Sequence, residues 1–186
     1  RTAEMTKVVE NTFRAVNIAY ANELTKIARH DDLDVHEIIR IANMHPRVNI
    51  LSPGPGVGGH CIPVDPWFLV GDYPRLTQLI STALEINESM PELVLERLVV
   101  IMKENNITDK NKIGIYGMTY KQDVDDIRES PTVQLFEKMK SSFAEPFRVF
   151  DPMIKEKIFD NQVMDFDKFL NDSEIIVLMV EHTHLK

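Results

Sequence analysis

The sequence predicts an α/β chain: a helical domain over residues 1–108, then an incomplete parallel α/β domain of Rossmann-like type over 109–186. Three observations carry this. Apolar residues recur at steps of three and four from residue 4 to about 105, interrupted only by a glycine-rich loop. From residue 111 the order becomes strand, helix, strand, helix, strand, and such alternation folds as a parallel sheet with crossover connections. With 186 residues and 44% apolar content, the chain has material for one large core or two small ones.

Element by element, Met5, Val9, Phe13, Val16, Tyr20, Leu24 and Ile27 trace the stripe of one long amphipathic helix. Asp34 is placed to cap a second helix ending near Asn43, because a carboxylate before an apolar run accepts the first orphan backbone N–H groups. Residues 45–60 hold three prolines and four glycines and cannot be regular. A third helical region runs from about Arg75 to Asn105, with Pro91 expected to bend or split it. Residues 112–117 are a short strand ending in glycine. Ser130-Pro131 has the form of a cap followed by proline at the first helical position, opening a helix to about Lys140. Residues 148–152 and 174–180 supply two further strands. The chain opens without an initiator Met, inside a helical pattern, and stops just after the third strand, so a fragment is expected.

A net charge of −8 argues against non-specific binding to nucleic acid or to an anionic membrane, since both need a basic surface. No apolar run approaches the roughly 18 residues of a membrane span. One cysteine forms no internal disulfide, which suits the cytoplasm.

That cysteine, Cys61, lies in PGPGVGGHCIPVDP, residues 53–66, a stretch with four of the seven glycines. A lone cysteine is commonly a structural core residue. Here the flanking backbone lacks side chains that would block a ligand, and Gly58 and Gly59 can offer N–H groups to an anion. A helix starting near Asp65 would help to stabilise a thiolate. Asp65 is either that helix's cap or, one turn from Cys61, a partner in its chemistry. Lys7, Asn11 and Arg14 point off the apolar stripe. They form either a solvated face or a lysine that stabilises an oxyanion beside an asparagine that holds a hydroxyl or water. Lys121 and Arg128 fall in a loop, residues 119–131, that follows the first strand, where ligands of open parallel sheets bind. Cations there suit a diphosphate, although Asp123, Asp125 and Asp126 also permit a mixed-charge surface. His60, His182 and His184 raise metal binding, but no CxxC or HExxH frame accompanies them and no metal is expected. The GxGxxG dinucleotide fingerprint is absent.

GGHCIPVD, residues 58–65, resembles the catalytic-cysteine motif of the nucleotide-sugar 6-dehydrogenases, the family that includes UDP-glucose dehydrogenase. AEMTK at 3–7, with Asn11 beyond it, is similar to that family's Lys/Asn helix, and Tyr120-Lys121 with Arg128-Glu129-Ser130 to its C-terminal loop. Within the family, HPRVNIL at 45–51, PGPGV at 53–57 and DPWF at 65–68 most resemble the branch acting on UDP-N-acetyl-D-mannosamine. Val64 stands where UDP-glucose dehydrogenases place lysine, which favours the N-acetylated branch.

The resemblance implies NAD as cofactor, a UDP-amino sugar as substrate, and a homodimer through the helices of a central dimerisation domain. It also implies that the NAD-binding domain is missing, so that this chain dimerises without turning over. Cys61 would be the nucleophile in a four-electron oxidation through a thiohemiacetal and a thioester. Lys7 would stabilise charge on the C6 oxygen, and Asn11 and Asp65 would position water or assist proton transfer. The segment from Asn49 through Ile50 and Leu51 to Gly58 would contact the nucleotide end of the substrate, with Tyr120 and Lys121 closing on it. Arg128 would reach the NAD diphosphate, and Arg47 would act across the dimer. UDP-N-acetylglucosamine or UDP-glucose as substrate remain alternatives. So do a non-catalytic dimerisation module and an unrelated thiol acyltransferase using His60 as base.

Overall fold

The computed structural model describes residues 2–142 and 147–185. They form two compact units, Arg1–Met90 and Pro91–Lys186. The first contains α1 (Thr2–His30), α2 (Val35–Ala42), α3 (Asp65–Asp72) and the start of α4 (Gln78–Glu104). The second contains the rest of α4, β1 (Ile113–Tyr116), α5 (Pro131–Ser142), β2 (Arg148–Phe150), α6 (Phe166–Asn171) and β3 (Ile175–Leu178). The composition changes at 108/109, but the units divide inside α4. Leu95, Leu98 and Met102 of that helix join the core of the sheet unit. Pro91 leaves α4 a single helix, although proline has no N–H to donate to the carbonyl one turn back.

In the first unit, Asp34 caps α2 as its position suggests, accepting from the amides of His36 and Glu37. Ala21 and Ala28 of α1 pack on Val35 and Ile39 of α2. The face that α1 buries is not the apolar stripe. Asn11, Thr12, Ala15, Ala19, Ala21, Asn22 and Ala28 are buried, whereas Phe13 is 63% and Ile27 55% exposed, with Met5, Val9 and Tyr20 also exposed. Periodicity finds an apolar face but not what covers it, and small residues let neighbouring backbone approach α1 on the opposite side.

In the second unit the strands are parallel in the order β2-β1-β3. Central β1 is buried along its whole length. Ile113 and Ile115 face a core built with Leu135, Phe136 and Met139 of α5. Tyr116, on the opposite face, packs with Phe150 and Phe169. This is the alternation of a strand covered on both sides. Gly114 is required by proximity: a Cβ there would lie 2.6 Å from Ser173 Oγ and 2.7 Å from the Phe169 ring. Ser130 caps α5, its hydroxyl accepting from the Thr132 amide at 3.2 Å.

Candidate active site

Cys61 is exposed and in no disulfide. It ends the glycine loop just before α3, and its carbonyl accepts from the amides of Val64 (3.3 Å) and Asp65 (2.8 Å). Cys61 thus precedes the helix in a turn and does not share a helical face with Asp65. Gly59, at φ +94°, allows the sharp change of direction two residues earlier, a conformation a side chain would strain. Asp65 is not the cap of α3: Val64 occupies that position. The Asp65 carboxylate instead accepts from Asn11 Nδ2 at 2.6 Å, across 54 residues of sequence. Asn11 is fully buried, so the solvated-face reading fails at this residue, and its Oδ1 accepts from Arg14 Nη2 at 3.1 Å. Lys7, one turn earlier, is exposed and 3.8 Å from Glu10 Oε2. Lys7, Asn11 and Arg14 line one open concavity with Val9 and Phe13.

The segment after α2 is held by amide side chains that sequence reasoning overlooked. Asn17 donates to the Asn49 carbonyl and accepts from the Leu51 amide, each at 2.8 Å. Asn43 grips Ile50 by both its carbonyl (2.9 Å) and its amide (2.7 Å). Asn22 accepts from the Gly54 amide and donates to Asn87 Oδ1, both at 2.9 Å, and Asn87 in turn donates to the Ala15 carbonyl at 3.0 Å. A carboxamide matches a peptide group in donor and acceptor, so Asn17 and Asn43 each stand in for a strand partner. One signal was available: asparagine is a poor helix former, and three in one long helix need a compensating role. Arg47 is exposed, its amide donating to His45 Nδ1 at 3.2 Å, and Gly58 is half-buried.

Tyr120, Lys121 and Arg128 belong to the second unit, on the loop after β1. The Tyr120 amide donates to the Asp126 carbonyl at 2.9 Å, and the Lys121 carbonyl accepts from Thr119 Oγ1 at 3.0 Å. Lys121 is exposed and Tyr120 half-buried. Arg128 closes on Asp126, with Nε 3.0 Å from both carboxylate oxygens and Nη2 2.6 Å from Oδ2. That bond raises the Arg128 pKa further. Asp123 is held below the usual carboxylate range, first by the Thr183 hydroxyl, then by the Thr183 amide. Tyr116 is pushed up to about 12, first by burial and then by the negative charges of Asp151 and Asp123. His182 is buried in hydrogen bonds, and the His184 ring packs on Phe166. Among the described residues, no group of three or more His, Cys, Asp or Glu side chains is placed to hold a metal.

Residues 1–89 match the central domain of the UDP-glucose/GDP-mannose dehydrogenase family, and residues 114–186 match the UDP binding domain of the same family. The chain belongs to that family. It is 45% identical over 193 residues to the UDP-N-acetyl-D-mannosamine dehydrogenase of Methanocaldococcus jannaschii, covering 100% of this chain and 42% of that protein. It is 41% identical over 189 residues to the NDP-N-acetyl-D-galactosaminuronic acid dehydrogenase of Ralstonia nicotianae, covering 100% of this chain and 44% of that one. Among solved structures, the UDP-N-acetyl-mannosamine dehydrogenase from S. aureus superposes with a TM-score of 0.86 at 43% identity, over 100% of this chain and 43% of that chain. The chain spans less than half the length of these relatives.

Proposed function

We propose that this chain supplies the thiol nucleophile and the nucleotide-binding unit of an NAD-dependent dehydrogenase that oxidises C6 of UDP-N-acetyl-D-mannosamine from alcohol to carboxylate. The observation that carries the reading is the 2.6 Å bond from Asn11 to Asp65. It joins α1, which bears Lys7, to the turn that presents Cys61.

Two bound NAD⁺ in succession would each accept a hydride from C6. On this chain, Cys61 as thiolate adds to the C6 aldehyde, and the thiohemiacetal loses its C6 hydrogen as hydride to become a thioester. Water attacks the thioester carbon, the C–S bond breaks, and the carboxylate leaves while the thiol is regenerated. A thiol suits this work because far more of it is ionised near neutral pH than of a hydroxyl. Lys7 offsets negative charge on the C6 oxygen. Asn11 and Asp65 position the attacking water, and the Asp65 carboxylate assists removal of its proton. Residues 49–58 of the first unit are read as contacts to the nucleotide end of the substrate, and Tyr120 and Lys121 as substrate contacts borne by the second unit's own loop. Arg128 fits a diphosphate by chemistry, since its fork already holds the two oxygens of a carboxylate and can exchange them for phosphate oxygens.

The exposed apolar stripe of α1 supports a homodimer through the central helices, with Arg47 reaching the partner's substrate. The similarity to the galactosaminuronic acid enzyme keeps other N-acetylated sugars in play as the second reading.

The test is NADH yield from the whole protein with UDP-N-acetylmannosamine, UDP-N-acetylglucosamine and UDP-glucose side by side. Two NADH per sugar with the mannosamine compound alone is expected. The same yield with another sugar overturns the substrate, and no NADH with any of them overturns the activity. A Cys61→Ser variant should stop short of the acid, and this chain alone should produce no NADH.

A further inference from the structure

The loop bearing Tyr120 and Lys121 is tied down by a histidine that the proposed chemistry does not use. His182 is fully buried just beyond β3. Its Nδ1 accepts from the Asp123 amide at 3.0 Å, so Nδ1 carries no proton. Its Nε2 lies 3.2 Å from Asp151 Oδ2 and 3.3 Å from Thr119 Oγ1. The Thr119 hydroxyl already gives its only proton to the Lys121 carbonyl, so toward His182 it can only accept. Both neighbours of Nε2 are therefore acceptors, and the proton sits on Nε2. Two independent contacts thus define one neutral tautomer.

The anchor is equally built. Asp151, buried just after β2, accepts from the amides of Met118 (2.6 Å) and Thr119 (3.0 Å) on Oδ2 and of Met153 (2.8 Å) on Oδ1. A buried carboxylate ringed by N–H donors is a fixed point, because moving it would strand its charge. On the loop side, Asp123 sits at φ +57° and its carboxylate accepts from the Thr183 amide at 2.9 Å and from the Thr183 hydroxyl. Gln122 reaches the same hydroxyl at 3.3 Å.

We propose that His182 is a positioning residue. As a neutral imidazole protonated on Nε2, it latches the Tyr120–Lys121 loop to Asp151 and presets that loop for the nucleotide sugar. This rests on the reading of Tyr120 and Lys121 as substrate contacts. The latch consumes backbone groups of Thr119, Lys121 and Asp123 and leaves the Lys121 side chain exposed.

The two ring nitrogens can be tested apart. Asn places its oxygen near Nδ1, and Gln places its nitrogen near Nε2. His182→Asn keeps the acceptor for the Asp123 amide, whereas His182→Gln keeps the donor to Asp151 and loses that acceptor. Nitrogen-15 spectra of this chain should show Nε2 protonated and Nδ1 bare. Amide exchange at Asp123 should stay slow in His182→Asn and become fast in His182→Gln. In the whole protein, His182→Gln should raise KM for the nucleotide sugar about tenfold, the value of one lost hydrogen bond, with kcat little changed. A proton on Nδ1 in the unsubstituted chain overturns the latch even if neither variant folds. Equal exchange at Asp123 in the two variants also overturns it. If exchange quickens in His182→Gln while KM stays put, the positioning role is wrong. Lys121→Ala then locates the fault: a raised KM keeps the substrate reading, and an unchanged KM removes it too.

Discussion

Replacing Asn22 by alanine removes the middle of the amide chain that holds the Gly54 loop. Asn22 is 0% and Asn87 4% exposed, so water cannot take over their bonds inside the unit. The substitution deletes two hydrogen bonds, worth about 1 kcal/mol each, and leaves Asn87 Oδ1 buried without a partner at a further cost of about 1–3 kcal/mol. The Gly54 amide is half-exposed and can rehydrate. The expected loss is about 3 kcal/mol, a large share of the roughly 5–15 kcal/mol that holds a domain together. Trp67, the only tryptophan, lies in α3 of the same unit, so urea unfolding followed by its fluorescence reads this unit alone. At a slope of about 1.5 kcal/mol per molar the midpoint should fall by about 2 M. Adding Asn87→Ala removes the stranded oxygen, so the double variant should lose less than the sum of the singles by about 1–2 kcal/mol. A midpoint shift under about 0.5 M, or strict additivity, would refute the reasoning.

Three further outcomes are expected. Gly114→Ala pushes a methyl into Phe169, which is fully buried and cannot yield, and should destabilise the sheet unit by about 1–3 kcal/mol in a denaturant melt. Gly71→Ala, with nothing within 4 Å of the new carbon, is its control and should be neutral or stabilising. Tyr116 should ionise well above the ordinary phenol value of about 10 when phenolate absorbance is followed. Its raised value means that its contribution to stability is whole below the ordinary phenol value of about 10 and is lost as pH rises through about 12. A Tyr116→Phe substitution that leaves the high-pH end of the folded protein's phenolate titration unchanged would contradict this. Phe13→Asp, on the exposed stripe of α1, should shift the sedimenting species from dimer to monomer without lowering the helix content seen by circular dichroism.

Local features were readable because their causes are local. The Asp34 cap, the Ser130-Pro131 helix start and the three parallel strands each follow from residues a few positions apart. Cys61 and Asp65 stood out by their glycine and proline surroundings. What escaped was everything fixed by distant closure. Asn17 reads as one more polar position on a helix until the chain returns 32 residues later and its carbonyl meets the amide. The apolar stripe of α1 was seen, but the face buried inside the unit is the one with small side chains. His182 and His184 raised metal binding by residue type but without a ligand frame, and nothing in the sequence told where their rings sit: the first lies against a carboxylate and a threonine, the second against aromatic rings. Arg128 was legible as a cation with three aspartates nearby, but not which of them, Asp126, it engages.

The two loops assigned to the substrate are secured by different chemistry, and this gives them different sensitivities. Residues 49–54 hang on neutral carboxamides, which neither titrate nor attract counterions. Their geometry should be the same in dilute buffer and in strong brine, and across the whole acid-to-neutral range. The loop at 119–126 carries at its turn a carboxylate, Asp123, that the Thr183 hydroxyl and amide hold below the usual carboxylate range. A lowered value means that this carboxylate's share of the loop's stability is whole above the ordinary carboxylate range and is lost as strong acid protonates it, while the hold on residues 49–54 stays as it was.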